Sequence, residues 1–154
     1  RPELPLLGLR FATPKPVSQT VWGGLSGETY PDRYEGGVAG RHEEVPGVPN
    51  YLVPQECGNR MGVRWITVSD ALGRGLKFSA VDTPFESSVL PYSARELDEA
   101  MHREELANPH YTWVRIMACQ MGVGGDDSWG APVQRQFWLD AHVDRKLAFT
   151  IEKK

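Results

Sequence analysis

The sequence has few cysteines and no long hydrophobic run. Its two cysteines, Cys57 and Cys119, are too few for a disulfide framework and lack the CxxC spacing of redox or metal motifs. We therefore expect two reduced thiols, which are typical of a cytoplasmic protein. No stretch approaches the roughly 18 consecutive apolar residues of a membrane-spanning helix. The first residues also lack an apolar signal segment, so we expect no membrane association.

A surplus of basic residues is absent too. The 154 residues carry a formal net charge of −3, with 40% hydrophobic and 24% charged residues, as in an ordinary globular protein. Nucleic-acid-binding proteins usually carry a basic stripe, so we expect no nucleic-acid partner. Glycine and proline are spread along the chain rather than gathered in a linker. Residues 1–154 are therefore predicted to form a single domain.

The local motifs of a self-contained active site are also missing. The sequence has no GxSxG elbow, P-loop, GxGxxG or HExxH motif. The side chains of its adjacent acidic pairs, such as Glu43-Glu44 and Asp126-Asp127, diverge, so they do not predict the facing carboxylates of a glycosidase. The four histidines are too far apart for a clustered metal motif. We expect no catalytic residue and no metal site in this chain.

Alternation with a period of two predicts an all-β fold. This period is the signature of a half-buried strand. A stretch rich in glycine and proline, between Gly36 and Pro49, predicts a long connection. Together these patterns favour a β-sandwich. The predicted strands are residues 6–11, 17–22, 61–69, 76–80, 111–117, 133–139 and 147–151.

One segment has helical periodicity instead. Ser93 and Glu96 have the spacing of a capping box, and Leu97 lies at a staple position. Glu99 and Arg103 are four residues apart, in the favourable order for an ion pair on a helix. These features predict one helix of about three turns over 93–106. Its apolar stripe is Ala94, Leu97, Ala100 and Met101.

Trp129 differs from the other four tryptophans in its surroundings. The other four lie in strand-like runs, where aromatic side chains commonly pack into a β-core. Trp129 lies in a glycine-rich loop, and functional residues are over-represented in loops that a rigid scaffold holds. An exposed indole there can contact the apolar face of a sugar ring. The alternative is an indole that packs into the core. The four strand tryptophans are Trp22, Trp65, Trp113 and Trp138.

Three motifs, in order along the chain, resemble the C-terminal domain of β-galactosidases of glycoside hydrolase family 2. Residues 121–129, MGVGGDDSW, resemble a motif near the C-terminus of these enzymes. Residues 28–33, ETYPDR, resemble the family's E-x-Y-x-D-R segment. Residues 51–60, followed by 63–65, resemble its P-x-E-x-G-x-R segment. Residues 85–92 and the capped helix with His102-Arg103 also resemble the stretch before the family's late helix, so the matches together cover nearly all of the chain.

The resemblance implies an antiparallel supersandwich, similar to galactose mutarotases, of which this chain is the C-terminal part. It implies that the catalytic carboxylates lie on a barrel domain absent from this chain, and that the family's magnesium and sodium sites are mainly there. The chain alone then holds no cofactor and is not a complete enzyme. The implied partners are the barrel-containing remainder and a galactoside such as lactose, in an oligomer in the cytoplasm.

The resemblance also implies roles for the residues of the loop. Trp129 would stack on the sugar at the mouth of the active site, mainly on the aglycone side. Gly122, Gly124 and Gly125 would shape the loop, and the polar residues after them would hold it. Those polar residues are Asp126, Asp127 and Ser128.

Two positions depart from the family pattern. Leu25-Ser26 stands where the family usually has Gly-Pro, so the conformation of this loop is open. Cys57 stands where the family often has Asn or Tyr, and its thiol is a candidate for oxidation if exposed.

Three other functions stay open at this point. A stand-alone carbohydrate-binding module needs a groove with two or more exposed aromatic side chains. A purely structural or assembly domain predicts a buried Trp129. A mutarotase-like enzyme needs a histidine and a glutamate that converge on one pocket, which no local motif supports.

Overall fold

A computed structural model describes residues 3–14, 16–49, 51–127 and 129–154. These residues form eleven strands, the helix α1 (Ala94–Glu99) and two 3₁₀ turns, Arg103–Glu105 and Arg135–Phe137. The strands are β1 (Glu3–Leu4), β2 (Leu6–Thr13), β3 (Gln19–Leu25), β4 (Ala39–Glu44), β5 (Arg60–Val63), β6 (Trp65–Ser69), β7 (Gly75–Ala80), β8 (Phe85–Leu90), β9 (Thr112–Gln120), β10 (Leu139–Asp140) and β11 (Phe149–Lys153).

Two antiparallel sheets make up most of the fold. One has five strands in the order β11-β7-β6-β3-β4, and the other has four in the order β2-β9-β8-β5. The short strands β1 and β10 form a separate antiparallel pair. Among the described strands, only three neighbouring pairs, β3–β4, β6–β7 and β8–β9, join consecutive strands, and β2 pairs with β9 across about a hundred residues.

The main hydrophobic core lies between the two sheets. Its buried residues come from both, and Phe78 of β7 and Ile116 of β9 are fully buried. Two sheets that enclose one apolar layer are a β-sandwich. The predicted all-β antiparallel sandwich is therefore confirmed. The other buried members of this core are Trp22, Val63, Ile66, Val68, Phe85, Val89 and Val114.

The outer face of the four-stranded sheet is also covered. All six residues of β8 are buried, so both faces of this strand are packed. Phe85 faces the core between the sheets, whereas Leu90 packs with Cys57 and Leu97 in a second cluster. Helix α1 therefore rests on this sheet through Leu97.

The predicted helix over 93–106 is too long. Its capping box is confirmed, because Ser93 Oγ accepts from the Glu96 N–H at 3.2 Å and Glu96 Oε2 from the Ser93 N–H at 2.7 Å. However, α1 ends at Glu99, and Ala100 is already extended. The Met101 N–H donates to the Glu105 carboxylate at 2.8 Å instead of continuing the helical ladder. The ion pair on the helix is Arg95–Glu99, not the predicted Glu99–Arg103 pair.

The predicted strand over 61–69 is two strands in different sheets. β5 ends at Val63 in the four-stranded sheet, and β6 begins at Trp65 in the five-stranded one. Gly62 has a φ of +65°, which suits the bend before the crossing. Because the chain changes sheets, Val63 and Ile66 both face the core, although a single strand would place them on opposite faces.

Two further segments differ from the predictions. Residues 133–139 contain the 3₁₀ turn Arg135–Phe137, and only Leu139 at their end belongs to a strand, β10. The predicted connection between Gly36 and Pro49 contains β4, which extends the five-stranded sheet beyond β3. Trp22 is buried as predicted, Trp65 and Trp113 are half-buried, and Trp138 is exposed.

Candidate functional site

The glycine-rich loop begins where β9 ends and is tied down at its start. The Met121 N–H donates to the Pro5 carbonyl at 2.9 Å, and the Gly122 N–H donates to the Phe137 carbonyl at 3.0 Å. These bonds connect the loop to the segment before β2 and to the 3₁₀ turn. The loop therefore leaves the sheet from a fixed point.

Asp32 holds the middle of the loop from a distant turn. Tyr30 and Arg33 exchange backbone hydrogen bonds of 3.2 and 2.8 Å, which present Asp32 at a tight turn. Its Oδ2 accepts from the Val123 N–H at 2.9 Å and from the Gly124 N–H at 2.6 Å. Hydrogen bonds to a charged acceptor are stronger than neutral ones. Sequence reasoning assigned Asp32 no role, although it lies in the ETYPDR motif.

The glycines allow close packing around this carboxylate. A Cβ at Gly122 would lie 2.7 Å from Asp32 Oδ2 and 2.8 Å from Phe137 Cβ. A Cβ at Gly124 would lie 3.2 Å from Asp32 Oδ2, and one at Gly125 would overlap the Ala131 carbonyl. A Cβ at Gly122 or Gly125 would push the loop away from its contacts, and one at Gly124 would require the Asp32 carboxylate to shift by a few tenths of an ångström.

The two aspartates of the loop form hydrogen bonds within it. Asp127 Oδ1 accepts from the Trp129 N–H at 2.8 Å and from the Ala131 N–H at 3.3 Å. Asp126 Oδ1 accepts from Gln134 Nε2 at 2.7 Å. Both aspartates thus contact the loop or the segment that follows it. Ser128, which the sequence also assigned to this loop, lies outside the described residues.

Trp129 projects from this anchored loop into solvent. Its side chain is 93% exposed, although its backbone N–H is bound by Asp127. The large hydrophobic side chains of strands β2 and β9 are far less exposed. A fixed backbone with a free indole offers a flat apolar surface to a ligand or to a partner chain.

A buried polar network lies under the start of the loop. Asn59 Nδ2 donates to Glu86 Oε2 at 2.6 Å and to the Thr29 carbonyl at 2.9 Å. Glu86 Oε1 accepts from the Gln120 N–H at 3.4 Å, next to the first residue of the loop. Burial raises the pKa of the Glu86 carboxyl above its ordinary value. The network thus brings two of the sequence motifs to the end of β9.

Two buried arginines have acidic partners. Arg60 pairs with Glu44 and lies 4.4 Å from the centre of the Trp22 ring. Arg115 pairs with Glu56 and donates to Ser88 Oγ at 2.8 Å. Burial lowers the pKa of each arginine to about 10, so both are cationic at neutral pH. Since each charge has a partner, these pairs hold the motif segment around Glu56 against the sheets.

The two cysteines are not joined in a disulfide. Cys57 is buried under helix α1, and burial raises its pKa to about 12. Cys119 is half-buried near the end of β9. The condition for Cys57 oxidation, exposure of the thiol, is therefore not met.

Neither a cluster of metal ligands nor a membrane-spanning helix is present in the described part of the chain. Among those residues, no three side chains of His, Cys, Asp or Glu lie together as metal ligands would. None of their helices has the length and hydropathy that a membrane crossing requires.

The sequence matches a known protein family over almost its whole length. A sequence model of the family described as "Beta galactosidase small chain" matches residues 1–151. The chain belongs to this β-galactosidase small-chain family. The match contains all three of the motifs that meet around the loop, so the Trp129 loop is part of the family region.

Several curated relatives share this region. The β-galactosidase small subunit of Latilactobacillus sakei is 46% identical over 162 residues, covering 97% of this chain and 51% of the relative. The β-galactosidases of Halalkalibacterium halodurans and Streptococcus thermophilus are 41% and 42% identical, each over 155 residues and 15% of the relative. The chain thus spans about half of the small subunit and about a seventh of the longer enzymes.

Proposed function

We propose that the chain is a component of a β-galactosidase and completes the rim of its active site. The observation that carries the proposal is the exposed indole of Trp129 on a loop fixed by Asp32 and Asp127. Membership of the small-chain family supports the enzyme class. The proposed substrates are terminal β-D-galactosides such as lactose, and the proposed compartment is the cytoplasm.

The proposed division of labour assigns bond cleavage to the rest of the enzyme. A retaining glycosidase uses two carboxyl groups about 5 Å apart, one as acid/base and one as nucleophile, through a covalent glycosyl intermediate. We assign these groups, and the magnesium and sodium sites implied by the resemblance, to the barrel-containing remainder. The partners proposed for this chain are that remainder, within an oligomer, and the galactoside itself.

Trp129 would act by positioning the sugar rather than by proton transfer. Its indole face would contact the apolar C–H face of the aglycone sugar, and stacking contacts of aromatic rings contribute on the order of 1 kcal/mol. The hydrogen bonds that Asp32 and Asp127 accept from backbone N–H groups fix the loop before the sugar binds. Less conformational freedom is then lost on binding, which favours affinity and alignment.

The test replaces Trp129 in the complete enzyme. We expect Trp129→Ala to raise KM for lactose about fivefold, which corresponds to about 1 kcal/mol, and to reduce galactosyl transfer to glucose. Trp129→Phe keeps an aromatic ring face, so we expect a smaller rise in the lactose KM than in Trp129→Ala. Leu52→Ala is the control, because it removes a side chain that is 91% exposed elsewhere on the surface. It should change neither the lactose KM nor the galactosyl transfer to glucose.

A nitrophenyl β-galactoside is a useful second substrate for comparison with lactose, because its leaving group is not a sugar. A loss confined to lactose and glucose would place Trp129 on the aglycone side. Unchanged lactose kinetics and unchanged transfer in Trp129→Ala would rule out the rim role. Lactose binding by the isolated chain, with no effect of Trp129→Ala on the complete enzyme, would instead favour a carbohydrate-binding module.

A further inference from the structure

Two arginines lie directly opposite each other on the outer face of the four-stranded sheet. Arg10 of β2 and Arg115 of β9 are register partners, and both line one cavity. They lie on the outer face, because Val114 and Ile116, the neighbours of Arg115 in sequence, belong to the core between the sheets. Like charges directly opposite each other destabilise a sheet. Positions where a sequence breaks such a rule of local stability are expected at functional sites.

A carboxylate compensates one of these two charges. Arg115 pairs with Glu56 and donates to Ser88 Oγ at 2.8 Å. Burial lowers the pKa of Arg115, and the charge of Arg10 lowers it further, which agrees with the closeness of the two side chains. Within the part of the chain that the structure describes, the Arg10 guanidinium has no acidic partner. Two cations therefore face one carboxylate.

The Trp113 ring holds Arg10 in place. The guanidinium carbon of Arg10 lies 4.8 Å from the centre of this ring, within the range of a cation–π interaction. Trp113 is two residues from Arg115 and therefore lies on the same face of β9. A ring contact orients a guanidinium without using its N–H groups. The five N–H donors of Arg10 are thus available to a ligand.

The cavity beside the two arginines is mostly apolar. Its volume is about 260 Å³, slightly below the roughly 300–1,000 Å³ of pockets for drug-sized ligands. Leu90 and Met117 are among its lining residues, and both are buried. The charged residues that line it are the two arginines and Glu56, and two positive charges with one negative charge leave a net charge of +1. The cavity therefore suits a small ligand with an apolar body and one negative charge.

We propose that this cavity binds a small organic oxyanion, a carboxylate or a phosphate ester that carries an apolar ring or chain. The Arg10 guanidinium donates two parallel hydrogen bonds to the oxyanion, the geometry that arginine forms with carboxylates and phosphates. The apolar body packs against Leu90 and Met117. The charge of the ligand then offsets the second of the two facing cations, while Glu56 stays paired with Arg115.

Calorimetric titration of the complete β-galactosidase that contains this chain tests the class of ligand. The probes are benzoate, phenyl phosphate and the neutral benzyl alcohol, which all contain a phenyl ring. We expect both anions to bind, and benzyl alcohol to bind at least about tenfold more weakly, because hydrogen bonds to a charged group are the stronger ones. The tighter of the two anions shows whether the ligand is a carboxylate or a phosphate ester. Equal binding of all three probes, or no binding of either anion at millimolar concentration, would overturn the inference.

Substitution of Arg10 tests the place of binding. We expect Arg10→Ala to bind the anions at least about tenfold more weakly. Arg10→Lys keeps the charge but loses the planar pair of donors, so its loss should be smaller. Arg41→Ala removes the same charge from an ion pair on β4, in the other sheet, and is expected to bind the anions as wild type does. Equal binding by Arg10→Ala and Arg41→Ala would contradict the inference, and urea unfolding of each variant checks that it is folded.

The outcomes also separate this inference from the proposed function. Within the described residues, no part of the Trp129 loop lines the cavity, so Trp129→Ala should leave anion binding unchanged. If Trp129→Ala weakens anion binding as much as Arg10→Ala does, the anions bind at the rim and the inference is wrong. If the 154-residue chain binds the anions but the complete enzyme does not, another part of the enzyme fills the cavity and the inference is overturned. Neither result changes the expected effect of Trp129→Ala on the lactose KM.

Discussion

The carboxylate of Asp32 accepts a hydrogen bond from the backbone N–H of Gly124 at 2.6 Å, although the two residues are 92 positions apart in the chain. The same oxygen accepts from the Val123 N–H at 2.9 Å. Asp32 thus fixes the stem of the loop that carries Trp129. The ETYPDR motif and the MGVGGDDSW motif are therefore two parts of one structural unit.

Asp32→Asn is expected to loosen this loop. An amide oxygen in the place of Asp32 Oδ2 is uncharged, and hydrogen bonds to charged groups contribute about 1.5–3 kcal/mol whereas neutral ones contribute about 0.5–1.5 kcal/mol. Solvent at this partly exposed turn reduces the loss to about 1 kcal/mol. We expect the Val123 and Gly124 amides to exchange about fivefold faster. Asp98→Asn, at an exposed position of α1, is the control; equal exchange in both variants would contradict the role of Asp32.

Gly125→Ala is expected to displace the loop by overpacking. A Cβ at this position would overlap the backbone carbonyl of Ala131, which has no flexible end to move aside. Overpacking of this kind costs about 1–3 kcal/mol, measurable as a lower free energy of unfolding in urea. Gly36→Ala meets no atom within 4 Å and serves as the matched control. Equal stability of the two variants would show that the loop has room.

Cys57 is expected to be unreactive in the folded chain. Its pKa of about 12, against an ordinary 9.0, reduces the thiolate fraction at pH 8 about a thousandfold, and burial blocks the reagent as well. In a Cys119→Ser chain, where Cys57 is the remaining thiol, we expect alkylation by iodoacetamide to be at least about a thousandfold slower in buffer than in urea. Similar rates in both solvents would mean that Cys57 is accessible.

Glu86 is expected to make the stability of the chain depend on pH. Burial raises its folded-state pKa above the ordinary 4.5, so the folded chain keeps a proton that the unfolded chain has lost. The free energy of unfolding contributed by Glu86 therefore falls as pH rises from about the ordinary value to the raised one. Urea unfolding should show wild type losing stability relative to Glu86→Gln across this window. A constant difference between the two proteins would contradict the shift.

Much of the fold could be predicted from local patterns. The alternation in residues 76–80 predicted the strand that carries the buried Phe78, and the capping box predicted the start of α1 at Ser93. These features depend on neighbouring residues alone. The end of α1 could not be predicted in this way, because it depends on which side chains reach the sheet, and Leu97 does so whereas Met101 is exposed.

Features that depend on contacts between distant parts of the chain could not be predicted from the pattern of any one segment. The crossing at Arg64 depends on strand pairings with β8 and β3, which lie on opposite sides of the core. The contact of Asp32 with the loop depends on two turns far apart in sequence. For Trp129, the glycine-rich context predicted a loop position, and the resemblance supplied the sugar-binding hypothesis, which stays a prediction.

The most direct test of the central claim is hydrolysis of a chromogenic β-galactoside by the chain alone and by the chain mixed with the barrel-containing remainder. The remainder alone serves as the control. We expect hydrolysis in the mixture and none by the chain alone. Hydrolysis by the chain alone, or a mixture no more active than the remainder, would contradict the proposed function.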